Sequence, residues 1–121
     1  MIELVAESEG KLLGIKVRGR LTARDYVETF VPHLDWVFQQ HGKARLLFAM
    51  EKGVEGLEDD SPWEPGRFAA RHGGQVEKLA VAGEGQWGEW AQRTGGLLGG
   101  CEVKAFAPGQ WEMAWDWITD T

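Results

Sequence analysis

KARLLFAME, residues 43–51, is a nearly unbroken apolar run bounded by charged residues at both ends. A strand with one wet face alternates apolar and polar residues, whereas a strand covered on both faces has no need to. The run therefore reads as a central strand of a sheet with other elements layered over it. Its neighbours carry two different periods. Upstream, MIELVAE and KLLGIKVRG are short apolar-rich segments separated by SEG, the pattern of two strands joined by a tight turn. Between that hairpin and residue 43 lies LTARDYVETFVPHLDWVFQQHG, in which Tyr26, Phe30, Leu34 and Phe38 recur every fourth residue with Val27 and Val37 beside them. That spacing predicts a helix with one apolar face. Thr22 followed by Asp25 resembles a capping box, Gly42 supplies a helix end, and Pro32 predicts a kink or split near Val31.

Downstream the same alternation continues. EKGVEGLEDD (residues 51–60) reads as an exposed acidic loop at the carboxyl end of the central strand. SPWEPGRFAARHGG then reads as a short helix, QVEKLAVAG as a strand, EGQWGEWAQRTGG as a helix, CEVKAFA as a strand and PGQWEMAWDWITDT as a closing helix. A hairpin followed by alternating helices and strands predicts a single α/β domain over residues 1–121, with a mostly parallel sheet and right-handed crossovers. Val17, Leu46, Leu47, Phe48, Leu79, Val81 and Val103 are the expected sheet side of the core.

Composition narrows the function. A chain of 121 residues is long enough to bury a core without metal or disulfide staples. A net charge of −6 argues against a nucleic-acid partner, since neutralising phosphates needs a surplus of Lys and Arg. A single cysteine, Cys101, makes no intrachain disulfide, and MIELVAESEG has no basic region leading into an apolar one. The expectation is a cytoplasmic protein that touches a membrane, if at all, only peripherally.

With the elements in this order, GIKVRGRLTARDYVETFVPHLD resembles the signature of the SpoIIAA-like proteins, a bacterial family related in fold to the STAS domain. The resemblance runs on through HGKARLLFAME, AVAGEGQWGEW and FAPGQWEMAWDWI, and so covers nearly the whole chain. It implies an STAS-like sandwich: a mixed, mostly parallel sheet of about five strands with helices layered on it. Ligand binding and membrane association are suggested for such proteins. Signalling STAS domains carry a phosphorylatable serine at the start of the helix after a central strand, in an Asp-Ser context followed by Ser or Thr and Gly. Only Asp60 and Ser61 match here, because Pro62 and Trp63 occupy the next two places. Ser61, Pro62 and Glu64 read instead as S-P-x-E, a helix cap with proline at the first helical position. Pro65 leaves open a start one turn later.

The residues do not spell out a catalytic site. His33, His41, His72 and Cys101 fall on four different elements, outside any metal or nucleophile motif. Glu55, Glu58, Asp59 and Asp60 lack the spacing of a calcium loop, and GEGQWG lacks both the Walker lysine and the G-x-G-x-x-G spacing. No cofactor and no metal are expected.

Seven tryptophans are the unusual feature. Tryptophan suits places where one edge is dry and the indole N–H is wet, as in pocket rims and interfaces. Trp36 falls off the apolar arc of its helix and is expected to be at least half exposed. Trp111 and Trp117 read as packing residues of the closing helix. Trp63, Phe68, Trp87, Trp90, Leu97 and Leu98 are expected to line a groove between two adjacent helices. The glycine-flanked GGLLGG (residues 95–100) reads as a connection with tucked leucines or as a mobile flap, and Arg67 and Arg71 would place two cations beside the groove. The expectation is a non-catalytic binding protein for an apolar or amphipathic, lipid-like small molecule or a membrane surface. The alternative is a STAS-type signalling or interaction module resembling anti-sigma-factor antagonists, with or without phosphate on Ser61. In that case exposed tryptophans anchor a protein partner or a second copy of the chain.

Overall fold

A computed structural model describes residues 1–5, 8–57 and 61–120. Five strands form one sheet in sequence order: β1 (Ile2–Leu4), β2 (Leu12–Val17), β3 (Ala44–Met50), β4 (Val76–Ala82) and β5 (Glu102–Phe106). β1 pairs antiparallel with β2, and β2 through β5 are parallel to one another. The opening hairpin and the mixed, mostly parallel α/β sheet are therefore as the sequence predicts.

The strand order dictates how the helices are layered. When parallel strands follow one another across a sheet, right-handed crossovers put every connecting helix on the same face. The core agrees. Alternate residues of β3, namely Ala44, Leu46, Phe48 and Met50, join a large cluster with Leu34 of α2 (Val31–His41), Phe68 of α3 (Pro65–His72) and Trp90 of α4 (Gln86–Leu98). The intervening Leu47 joins a smaller cluster with Ala80, Ala82, Phe106 and two residues of α5 (Trp111–Thr119), Ala114 and Ile118. Among the described residues, one face thus carries the crossover helices and the other carries only α5. Of the expected sheet core, Val17, Leu46, Leu47, Phe48, Leu79 and Val81 are fully buried, and Val103 on the edge strand is half-buried.

Three local readings are refined or corrected. The irregularity expected from Pro32 near Val31 takes the form of a change of helix type and not of a gap. A short α1 (Ala23–Asp25) passes into a π-helical segment (Tyr26–Phe30) and then into α2, with the Val31 N–H donating to the Tyr26 carbonyl. Pro32 has no N–H to give to the carbonyl four residues back, and the wider turn accommodates its ring. The Thr22–Asp25 capping box does form, with bonds of 3.1 and 3.2 Å. α3 begins at Pro65 and not behind Ser61. Its cap is Glu64, whose carboxylate accepts from the amides of Gly66 and Arg67 at 3.2 and 3.1 Å. Pro65, lacking a donor, fits the first helical position and makes this start the favourable one. Lastly, residues 95–98 are neither connection nor flap but the last turn of α4, which ends at Gly99 and Gly100 with φ of 71° and 67°. Gly95 is glycine because α4 presses on β5 there: a Cβ at that position would overlap Cγ2 of Val103.

Candidate functional site

The expected groove between α3 and α4 is filled by its own walls. Trp63 and Phe68 have no exposed surface, and Leu98, Trp87 and Trp90 retain 2, 3 and 6%. Trp63 meets Tyr26 edge-on at 4.9 Å, Phe30 lies at the same distance, and Phe48 packs edge-on against both Trp63 and Trp90. The indole N–H groups that suggested a wet rim are satisfied by backbone instead. Trp63 Nε1 donates to the Thr22 carbonyl and Trp90 Nε1 to the Trp63 carbonyl, each at 2.7 Å. These residues form the main core. Leu97, Arg67 and Arg71 remain at the surface, with Arg71 lying 5.9 Å from the Tyr26 ring.

Ser61 is 5% exposed, and its Oγ accepts the Trp63 N–H at 3.1 Å. The hydroxyl therefore orders the turn that leads into α3. Glu58, Asp59 and Asp60 lie outside the described residues.

The histidines and the cysteine stay apart. His33 and His41 are exposed on α2, and His33 Nδ1 lies 2.7 Å from the Thr29 carbonyl. His72 is 2% exposed, with Nε2 2.6 Å from the Tyr26 hydroxyl. Burial, reinforced by the charge of Arg71, pushes the imidazole down to about 4, and burial pushes the Tyr26 phenol up to about 12. Both groups are neutral at pH 7 and shut away from solvent. Burial also pushes the Cys101 thiol up to about 11, which disfavours the reactive thiolate. Among the described residues no group of acids, histidines and cysteines could hold a metal ion, and no helix is long and apolar enough to cross a membrane.

Among the described residues, space open to a ligand lies on the opposite face of the sheet, where the sequence carries no prominent signal. A cleft of about 540 Å³ opens at the carboxyl ends of β2, β3 and β4, beside the start of α5. Lys16, Ala49 and Ala82 form its sheet side, with Lys52 on the loop after β3 and Pro108, Gly109 and Trp111 along the other. In open α/β sheets ligands bind outside the carboxyl ends of the strands where neighbouring loops part to opposite faces, as they do here after β4, which leads to α4, and after β5, which leads to α5.

Each wall has a local cause. Lys16 alternates with the buried Ile15 and Val17, so it faces α5, and its ammonium lies 5.8 Å from the Trp111 ring. Pro108 and Gly109 form a turn closed by the Gln110 N–H donating to the Ala107 carbonyl at 3.1 Å. Gly109, at φ 84°, supplies the left-handed conformation that turn needs. The Gln110 side chain accepts from the Ala107 amide at 3.0 Å and fixes the other side of the turn. Trp111, Trp115 and Trp117 are half-buried along α5, so Trp111 and Trp117 are not core residues as expected but roof over a sheet face that one helix only partly covers. The far end of α5 is anchored. Arg45 donates to the Ile118 and Asp120 carbonyls at 2.9 and 2.8 Å, and Lys78 to those of Trp117 and Asp120 at 3.0 and 2.8 Å. Cations there also complement the negative end of the helix dipole.

Two smaller hollows flank the fold. One of about 240 Å³ lies at the start of α4 and is lined by Glu51 and Glu84; another of about 160 Å³ lies between the hairpin turn and α2, where Trp36 is 57% exposed.

Comparison with known proteins agrees with this architecture. The sequence model of the SpoIIAA-like family matches residues 12–119. An uncharacterized protein of the DUF3478 family from Shewanella loihica PV-4, whose crystal structure has a SpoIIAA-like fold, superposes with a TM-score of 0.70 at 26% identity. The match covers 97% of this chain and 93% of that one. No curated protein matches the chain.

Proposed function

The chain belongs to the SpoIIAA-like family, and from that premise we propose that it is a non-catalytic binding module that takes up an amphipathic small molecule in the cleft beside α5. The observation that carries this reading is the pairing, in one open cleft, of an apolar floor and wall with the cations Lys16 and Lys52, while the Glu51 carboxylate that also lines it is paired with Arg18 at 3.1 Å. Small-molecule sites are mostly apolar hollows with a few polar anchors, and about 540 Å³ falls within their usual size. The amphipathic ligand expected from the tryptophans thus keeps its chemistry and changes its place, from the α3–α4 layer to the α5 face.

The test uses 8-anilinonaphthalene-1-sulfonate, an apolar anion, added to isotope-labelled protein. Shifts are expected at the Trp111 indole N–H and at the amides of Lys16, Ala49 and Ala82, and they should shrink in Lys16→Gln. Shifts confined to α3 and α4, or absent altogether, would defeat the reading.

A second reading has its own observation. Trp36, Val27 and Leu97 are 57, 64 and 57% exposed, and as separate apolar anchors they suit a protein partner, a second copy or a membrane surface. Liposome flotation and native mass spectrometry separate these outcomes, and a monomer that stays clear of vesicles would remove all three.

A further inference from the structure

The cleft's floor is a single row of residues running across the sheet. Lys16 pairs with Ala49 in the β2–β3 register, Ala49 with Ala82 in the β3–β4 register, and Ala82 with Phe106 in the β4–β5 register. Residues opposed in register point to the same face, so the row reads cation, methyl, methyl, ring along the α5 side. Strands lie about 4.8 Å apart, which puts the Cα of Lys16 roughly 10 Å from that of Ala82 with only a methyl group between them. Phe106, 9% exposed and packed in the α5-side core, stands beyond Ala82 and ends the row.

Above this floor the wall is already set. The Pro108–Gly109 turn is pinned by its two bonds to Gln110, and the Trp111 indole follows it directly. The space is therefore a slot with a flat floor, an aromatic flank and a cation at one end, and Phe106 stands past its far end without lining it. The cation rests against the Trp111 ring rather than on a carboxylate. Lys11 is paired with Glu77 at 2.8 Å, and Lys78 is taken up by carbonyls, but among the described residues no carboxylate lies within ion-pair distance of Lys16.

We propose that the slot takes a flat aromatic anion, a body of one or two fused rings carrying a carboxylate at one end. The rings would lie on the methyl groups of Ala49 and Ala82 with Trp111 beside them, and the carboxylate would meet the Lys16 ammonium. Two adjacent Cβ-only positions leave room for a planar ring, and offset or edge contact with an indole favours aromatic over aliphatic ligands. A long acyl chain is disfavoured, because the row stops at Phe106 and the chain would have to turn out into water.

This inference rests on the cleft being the binding site, and the experiment separates the two claims. The full chain is titrated with 2-naphthoate, 2-naphthalenemethanol and decanoate, following the Trp111 indole N–H and the amides of Ala49 and Ala82. The expected result is that 2-naphthoate binds at least about tenfold more tightly than either of the others, a difference of about 1.4 kcal/mol. Lys16→Gln should abolish its advantage over the alcohol while leaving the alcohol's affinity unchanged, and Ala49→Leu should weaken both aromatic ligands. If Ala49→Leu does not fold, Lys16→Gln alone decides, since that side chain is half-exposed. Decanoate binding most tightly at the same residues would overturn the ligand class and leave the cleft standing. Equal binding of acid and alcohol would remove the role of Lys16, and with it the anion. Silence of these residues toward all three would overturn both claims.

Discussion

Trp90 donates its indole N–H to the backbone carbonyl of Trp63 at 2.7 Å. Trp63 in turn donates to the carbonyl of Thr22, also at 2.7 Å, so two tryptophans tie α4, the turn before α3 and the start of α1 into one unit. The Trp90 indole serves a carbonyl in the irregular turn before α3, while the Trp63 indole adds a second bond to the Thr22 carbonyl, which also accepts the Tyr26 N–H at 3.2 Å.

Replacing Trp63 should therefore be among the most damaging single changes. Trp63→Ala is expected to cost about 3–5 kcal/mol in urea unfolding, from lost burial and the remaining cavity. Trp63→Phe keeps most of the packing and removes one of two hydrogen bonds to the Thr22 carbonyl, which still accepts the Tyr26 N–H, at about 0.5–1.5 kcal/mol. Near-neutral behaviour of both would show that this residue is not the core element described.

The two adjacent glycines of α4 should respond with opposite signs. Gly95→Ala drives a methyl group into Val103 and separates α4 from β5, with an expected loss of about 1–3 kcal/mol. Gly96→Ala meets nothing within 4 Å in the same helix and should gain about 0.5–1 kcal/mol. Thermal melts of the pair give the comparison, and equal shifts would contradict the packing of α4 on β5.

His72 should make stability depend on pH. Burial holds its imidazole at about 4 in the fold, against the ordinary value of 6.5 in the unfolded chain. Between these values the unfolded chain binds a proton that the folded chain does not, so stability falls as pH drops. The contribution is fully present above about pH 6.5 and fully lost below about pH 4, amounting to about 3 kcal/mol. Arg71 opposes protonation and Asp35 favours it, both more weakly than burial. His72→Gln keeps a polar partner for the Tyr26 hydroxyl and should flatten the slope in this window. An unchanged slope would assign the acid sensitivity to other groups.

Arg45→Met tests how α5 is held. Arg45 is 8% exposed and carries two of the bonds that close the C-terminal end of that helix. The expected effect is a loss of about 1–3 kcal/mol together with faster amide exchange in the last turn of α5. Exchange that quickens equally in α3 and α4 would show global rather than local loosening.

The order of strands and helices was legible because each period is local. Residues 43–51 read as a doubly covered strand and form β3; the four-residue repeat from Tyr26 to Phe38 reads as a helix and is one, with its π-helical turn placed by Pro32. The candidate site was not legible. Trp63 and Trp90 looked available because an indole N–H needs a partner, and their partners are carbonyls 41 and 27 residues away in the chain. Residues 95–98 looked loose because glycine is flexible alone, yet Gly95 lies within α4 where that helix packs against Val103.

By itself, then, the sequence determined the α/β class, the hairpin, the alternation of elements and the family, all of which follow from periodicity and turn residues within short windows. Only the tertiary structure decided which face of the sheet stays open. That outcome depends on strand order combined with right-handed crossovers, which gather α2, α3 and α4 on one side and leave α5 alone on the other. The row from Lys16 through Ala49 and Ala82 to Phe106 exists only by register between four strands spread over 91 residues (16 to 106) of chain. No local pattern can encode it, because hydrogen bonding between strands, and not spacing along the chain, sets which side chains stand together.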